Sequence, residues 1–444
     1  MPATPAPVLP GEPILGSLRA LQRDPFAVLS RATLEYSPWV RLKVLGTEIF
    51  VPGDAAVFEH VLVTNVRNFD KQLRSYQMLR NIVGYGLVTS DGDFWKRQRR
   101  TAQPAFHRER IAAFGEVMSR ASTEMVDDFV MGTPFDVAAS FNHVALKLVG
   151  QTILSNDVTS SASRVEPAMR VALEHLVRRS LDPLSAPEWV PTSKNRAFRQ
   201  AIEELDRVVN GVISARRAGT ETRKDLLAML MEARDPETGE GMTDVQLRDE
   251  VMTIFLAGHE TTATALAWTA MLIAQHPEVE AALVEEIDRV LGGRSPGMQD
   301  VANLTYTGMV LKESMRLYPP VWSLGRRVVE DEVVAGVLLP KNTQIFLCPY
   351  AMHRHPKYWK DPERFDPLRW APGAPPPTKG TYLPFNIGQR KCIGDVFATI
   401  EAQIILATVY QRVHLKLVAD RPVETEALLT LRPANGVWVT ASPR

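Results

Sequence analysis

The stretch from Thr243 to His276 contains no proline and closes on Pro277. It opens on Thr243-Asp244-Val245-Gln246, where a Thr N-cap with Gln three residues on makes a capping box. Pro277 ends it, because the residue before a proline is pushed out of the α region. The pattern predicts one helix of roughly 33 residues, about 50 Å long at 1.5 Å per residue. An ordinary helix is about 11–12 residues long. The sequence is apolar nearly all round, as in Val251-Met252-Thr253-Ile254-Phe255-Leu256, so this helix belongs in an interior.

A chain of 444 residues, 45% hydrophobic and 23% charged, can build a core that encloses a cofactor. Lys plus Arg and Asp plus Glu both total 51, for a net charge of zero. A nucleic-acid binder shows a basic excess, and none is present. Two cysteines, Cys348 and Cys392, are no disulfide framework, so a cytoplasmic setting is expected. Residues 1–20 read as a Pro-rich extension (Pro2, Pro5, Pro7, Pro10, Pro13) and lack the form of a signal peptide. No apolar run of about 18 residues occurs, so no membrane span is expected.

Trp39 to Val51 alternates around Gly46-Thr47 and predicts a β-hairpin. Phe94 to Arg217 is mainly helical by period. Short strands with a turn near Lys341-Asn342 are expected between Val333 and Cys348, and loops from Tyr358 to Gly380. A last helix follows Cys392 and runs to about Arg412. Strand-like stretches follow near Val413–Val418 and Gly436–Thr440. The fold class is mainly α with small β-sheets, residues 39–52 and 326–348 supplying the β portion. The whole chain, 1–444, reads as one domain. With its end at Arg444 it leaves no room for a fused flavin domain.

Phe385-Asn386-Ile387-Gly388-Gln389-Arg390-Lys391-Cys392-Ile393-Gly394 is the most informative stretch. Cys392 stands just before a predicted helix, whose unsatisfied N–H groups and dipole favour an anion. Arg390 and Lys391 add positive charge. Both effects favour the thiolate, the form that binds metal. Gly388 allows a tight turn, Gly394 allows a flat ligand to approach the backbone, and Phe385 can shield the sulfur. A lone cysteine is more often a small buried hydrophobe, the reading given to Cys348. Here the full spacing Phe-x-x-Gly-x-Arg-x-Cys-x-Gly is met, and it resembles the haem-binding signature of the cytochrome P-450 family.

That resemblance, from about Trp39 to the C-terminus, implies a triangular single-domain fold with the long helix over a haem b (iron protoporphyrin IX). It implies Cys392 as proximal iron ligand, a thiolate that favours O–O cleavage, with Arg390 at a haem propionate. Ala257-Gly258-His259-Glu260-Thr261-Thr262 resembles the family's acid–alcohol pair. Thr261 can bond back to the carbonyl of Ala257 and bend the helix, leaving a groove for dioxygen where Glu260 and Thr261 relay protons. His259-Glu260 lacks the second His of a zinc motif. Trp95 and Arg99, four apart on one helix face, match the family's propionate-binding pair. Arg326, with Arg327 as the rival choice, resembles a third such position. Glu313 and Arg316 match the E-x-x-R pair that pins the core, and Pro362-Glu363-Arg364-Phe365 suggests Arg364 as its third member. His353 and His355 read as loop polar residues.

Segment matching places Val88, Phe255, Ala257, Val321 and Leu429 near the substrate, with Trp322 a further contributor. An apolar pocket of this kind implies a hydrophobic small molecule, whether fatty acid, terpenoid, steroid or polyketide. The expected reaction inserts one oxygen atom of O2 by hydroxylation or epoxidation. Electrons would come from a ferredoxin and its NAD(P)H-dependent reductase, or from a flavodoxin. The basic cluster Arg97, Arg100, Arg108 and Lys391 is the expected docking face, with plain solubility the equal alternative for each residue. Two rivals stand beside this reading: a peroxide-driven peroxygenase of the same fold, and a non-catalytic haem protein that binds a gas.

Overall fold

Glycine and positive-φ turns set the first element of the fold. In the computed structural model the strands Trp39–Val44 and Thr47–Pro52 pair antiparallel, Trp39 opposite Pro52 and Val44 opposite Thr47. Leu45 and Gly46 make the two-residue turn at φ 49° and 79°, the twist that favours tight hairpins. The structure describes residues 4–153, 159–182, 185–219 and 225–444. The expectations for Pro2, and for the parts of the Phe94–Arg217 helical stretch at 154–158 and 183–184, lie outside the described residues.

The chain forms two compact units, each discontinuous in sequence. The first comprises Met1–Arg74 and Lys312–Cys392. Its five-stranded sheet extends the hairpin: Thr47–Pro52 is followed by Gln344–Leu347, then Leu324–Val328, then the edge strand Phe69–Asp70. Gln344–Leu347 lies parallel to the hairpin strand and antiparallel to Leu324–Val328, with Arg326 opposite Ile345. Arg326 therefore sits inside a strand that begins at Leu324, two residues ahead of the β portion expected over 326–348. Two adjacent arginines interrupt the apolar alternation that would have marked it. Trp39, Phe58, Leu62, Val328, Ile345 and Leu383 are buried together. Trp322 is half-buried and packs edge-on against Phe26 at 5.0 Å, against the core of this unit.

The second unit comprises Ser75–Leu311 and Ile393–Arg444. The long helix runs from Asp244 to Gln275, 32 residues, with both capping-box bonds formed. It packs most extensively on the helix Val137–Ile153 and also meets Asp395–Arg412. Buried residues occupy nearly every face of it, as its all-round apolarity requires. Helices Thr159–Leu181 and Ser193–Ala218 pair with each other. A three-stranded sheet joins Pro134–Asp136, Trp438–Pro443 and Val413–Leu417. A small hairpin, Thr425–Ala427 with Leu431–Pro433, is tied to the long helix by Trp268 Nε1 donating to Leu431 O at 2.8 Å. Among the described residues no helix is long and apolar enough to cross a membrane.

Candidate functional site

Cys392 closes a tight loop in the first unit. Its N–H donates to Phe385 O at 2.8 Å, and Lys391 N–H donates to Gly388 O at 3.1 Å. Asn386 and Gly388 take φ of 59° and 69°. A Cβ on Gly388 would stand 2.5 Å from Leu62 O, so the loop rests on the His60–Thr64 turn at a distance only glycine permits. Phe385 and Arg390 are half-buried, Arg390 ending the short turn Gly388–Arg390. The Cys392 thiol is exposed, whereas Cys348 is buried and its thiol is pushed up to about 12. Of the two cysteines, Cys392 is the one whose sulfur is open to a ligand.

Arg326 is 1% exposed. Its Nη1 donates to Gly325 O at 2.7 Å, while the buried Nη2 has no partner. A buried guanidinium with an unsatisfied N–H is costly, and an acidic group on a ligand would complete it. Arg327 faces elsewhere and pairs with Asp70, Nε to Oδ1 at 3.0 Å. The geometry thus separates the two arginines that the sequence left as alternatives. In the same unit Arg316 and Glu313 are joined by two hydrogen bonds, and Arg369 Nε donates to Glu313 Oε1 at 3.1 Å. Arg364 was expected as the third member by its side chain. Instead its main-chain carbonyl accepts from Arg316 Nη2 at 3.0 Å, and the guanidinium that reaches Glu313 is that of Arg369. His353 is no loop decoration either. It is fully buried, its Nε2 accepts from Leu383 N–H at 2.7 Å, its Nδ1 lies 3.1 Å from Arg316 O, and burial lowers it to about 3.

In the second unit Thr261 Oγ1 donates to Ala257 O at 2.6 Å, the back-bond its position predicts. Glu260 Oε1 accepts from Thr430 Oγ1 at 2.7 Å, while Oε2 is buried without a partner. Burial raises the Glu260 pKa, and the Thr430 bond and the Arg432 charge pull it back. Neither ring nitrogen of buried His259 has a partner, and burial lowers it to about 4. Glu401, on the helix Asp395–Arg412, is fully buried and raised to about 8. Trp95 is buried and Arg99 half-buried, one turn apart on the helix Gly92–Ala102. Val88 and Leu429 pack against the cluster that contains Phe255. Ala257 is half-buried on the long helix, Gly394 caps the helix Asp395–Arg412, and half-buried Val321 lies in the first unit.

Arg97 and Arg100 were expected on an open basic face. Arg97 pairs with Glu240 at 3.2 Å, and Arg100 pairs with Asp235 at 2.8 Å and Glu237 at 2.5 Å. These two charges are neutralised locally, which weakens the docking role given to them. Thr430, Glu401, Arg369 and His353 were missed as site or support residues. For Glu401 the signal was there: a carboxylate inside an apolar helical run.

The residues suit a flat, acidic, metal-bearing group. Cys392 offers one thiolate, Arg326 an unsatisfied buried guanidinium. Among the described residues no group of three or more His, Cys, Asp or Glu side chains could hold a metal ion. The comparisons agree. The cytochrome P450 family matches residues 6–439. Cyclooctatin synthase of Streptomyces melanosporofaciens is 35% identical, over 98% of this chain and 93% of its own. Pentalenene oxygenase of Streptomyces avermitilis is 35% identical, over 94% and 93%. Cyclooctat-9-en-7-ol 5-monooxygenase of Streptomyces melanosporofaciens is 34% identical, over 91% and 88%. The crystal structure of the cytochrome P450DA haem domain superposes with a TM-score of 0.92 at 28% identity, covering 100% of this chain and 99% of that one. The chain belongs to the cytochrome P450 family. Its mainly α fold with small sheets is that family's fold, and it is a haem-thiolate oxygenase.

Proposed function

We propose that this enzyme inserts one oxygen atom of O2 into a hydrophobic, terpenoid-class molecule, with Cys392 as the thiolate ligand of a haem b. The observation that carries the reading is the exposed Cys392 thiol in its glycine-dependent loop. The terpenoid class is supported by relatives named for pentalenene and cyclooctat-9-en-7-ol, an alkene and an alkenol by their names. Wall residues Val88, Phe255, Ala257, Val321 and Leu429 are apolar, as such a substrate needs.

When bound, the haem supplies activation of dioxygen, which a thiolate ligand favours. The remaining roles fall to the chain. Cys392 holds the iron, its loop kept in shape by the N–H of Cys392 on Phe385 O. Arg326, Arg390, Trp95 and Arg99 would bind the propionates, Phe385 would shield the sulfur, and Gly394 would let the flat group lie close to the backbone. Glu260 and Thr261 move protons: burial raises the Glu260 pKa, and Thr261 holds its hydroxyl on Ala257 O. Electrons arrive from a separate ferredoxin and reductase, or a flavodoxin. A cytoplasmic setting belongs to the proposal and is supported by the scarcity of cysteine.

The test is the absorbance of dithionite-reduced protein under CO, wild type beside Cys392→Ser. A strongly red-shifted Soret band lost in the variant is expected. An unshifted band in well-folded wild type would overturn thiolate ligation. Turnover of pentalenene and cyclooctat-9-en-7-ol with a ferredoxin couple then tests substrate class.

A further inference from the structure

Three consecutive ionisable residues near the start of the long helix, Arg248-Asp249-Glu250, join elements that are far apart in sequence. Arg248 Nε donates to Asp206 Oδ1 at 2.8 Å, a second bond running from Nη2 to the same oxygen, so the helix Ser193–Ala218 is tied in. Arg248 Nη2 also donates to Ile82 O at 3.2 Å, at the end of the helix Arg74–Val83. Its Nη1 donates to Asp249 Oδ1 at 3.0 Å. The other oxygen of Asp249 accepts from Tyr85 N–H at 2.7 Å, and Glu250 Oε2 accepts from Leu87 N–H at 3.1 Å.

The segment from Gly84 to Ser90 is thus held on the helix by alternate amides. Its own bonds, Thr89 Oγ1 to Gly84 O at 2.6 Å and Arg80 Nη2 to Thr89 O at 2.8 Å, keep it compact. The fit is close. A Cβ on Gly84 would meet the Asp249 carboxylate at 2.0 Å, and one on Gly86 would meet Thr253 Oγ1 at 2.1 Å. Val88 follows directly on Leu87 and packs on the cluster that contains Phe255. The Asp249 carboxylate, facing fixed N–H donors, is a strong, directional anchor; burial pushes Glu250 up to about 8, so its bond from Leu87 N–H is an ordinary one, and linked polar groups of this kind behave as a unit.

We propose that Arg248, Asp249 and Glu250 are positioning residues that couple the helix Ser193–Ala218 to the segment carrying Val88, and so set the shape of ligand the pocket admits. The inference rests on the reading of Val88 as a wall of the substrate pocket. It places no junction residue in contact with substrate.

The experiment uses the holoenzyme and the variants Asp206→Asn and Asp206→Glu. Asp206 is at the outer end of the junction and its side chain is 35% exposed, so replacing it leaves Asp249 and Glu250 in place. Hydrogen exchange by mass spectrometry reads the peptide spanning 84–90. Removing the charge that faces Arg248 weakens both of its bonds to residue 206 and should speed exchange on the order of tenfold in Asp206→Asn, with the hairpin at 39–52 unchanged and protection recovered in Asp206→Glu. Spectral titration with imidazole and with 4-phenylimidazole gives the second readout. The bulkier ligand's Kd should move about tenfold and that of imidazole should hold. Exchange at 84–90 identical to wild type would overturn the coupling, even if the melting temperature falls. Altered exchange with both Kd values unmoved would overturn the link to pocket shape. Failure of either imidazole to bind wild type would instead count against the haem reading.

Discussion

Arg316 and Glu313 form a paired fork inside the first unit, Nη2 to Oε1 at 2.9 Å and Nε to Oε2 at 3.0 Å, with both side chains fully buried. Arg316 spends its other donors on the carbonyls of His353, Pro362 and Arg364. Glu313 collects Arg369 Nε, Trp370 Nε1 and the amide of Asp366. Charges this deep survive only because every lone pair and proton is engaged. Glu313→Ala should therefore cost about 3–5 kcal/mol by stranding the Arg316 charge. Arg369→Ala should cost about 1.5–3 kcal/mol. Arg364→Ala keeps the carbonyl that does the bonding and should stay within about 0.5 kcal/mol. Urea melts of the three variants test the order. Equal losses for Arg364 and Arg369 would contradict the assignment.

Why the sequence pointed to Arg364 is physical. Both arginines lie in a Pro-rich stretch, and Arg369 is presented to Glu313 from the turn Pro367–Trp370, which no periodicity announces. The same limit explains Thr430, 170 residues from Glu260, on a hairpin with three-residue strands. By contrast the long helix was legible end to end, because a capping box and a proline are local signals. The Cys392 loop was legible for a similar reason: its glycines answer a local need for positive φ and close approach. Arg326 and Arg327 fell between these cases. Neighbours in a strand face opposite sides, so a one-residue choice waits on the register, which the pairing of Arg326 with Ile345 supplies.

That choice yields a second prediction. Arg326→Ala removes a buried donor that a propionate would complete, whereas Arg327→Ala only releases Asp70 at the sheet edge. Haem transfer to apomyoglobin should be on the order of tenfold faster from Arg326→Ala and near wild type from Arg327→Ala. The reverse order would assign the propionate to Arg327.

Thr430 bears on the proton path proposed for Glu260, because its hydroxyl donates to that carboxyl. Burial raises the pKa of that carboxyl, and the hydrogen bond from Thr430 lowers it. Thr430→Val removes the lowering influence while keeping the bulk, so Glu260 should ionise at higher pH. The limb of the turnover profile that follows this ionisation should move upward in pH, with the CO spectrum unchanged. In Thr261→Ala the effect should be different: electrons are consumed with less product formed, at unaltered reduction rate. A Thr430→Val profile that overlays wild type would remove Glu260 from the rate-governing proton path.

Glu401 offers a prediction about stability. It is fully buried, and Thr262 is the one neighbour that works against the burial. Burial raises its pKa from 4.5 to about 8. Below 4.5 both the native and the unfolded chain hold the proton, and the native state keeps its full stability. As the pH rises from there toward 8, the unfolded chain releases the proton while the native chain retains it. The unfolded state then binds fewer protons, so stability falls with rising pH. Glu401→Gln has the same shape and cannot titrate. Thermal melts across this interval should therefore slope less steeply in the variant, by on the order of one proton per molecule. A variant whose slope parallels wild type would show that Glu401 ionises as an ordinary carboxyl, and its burial would then have to be relieved by hydration of the carboxylate.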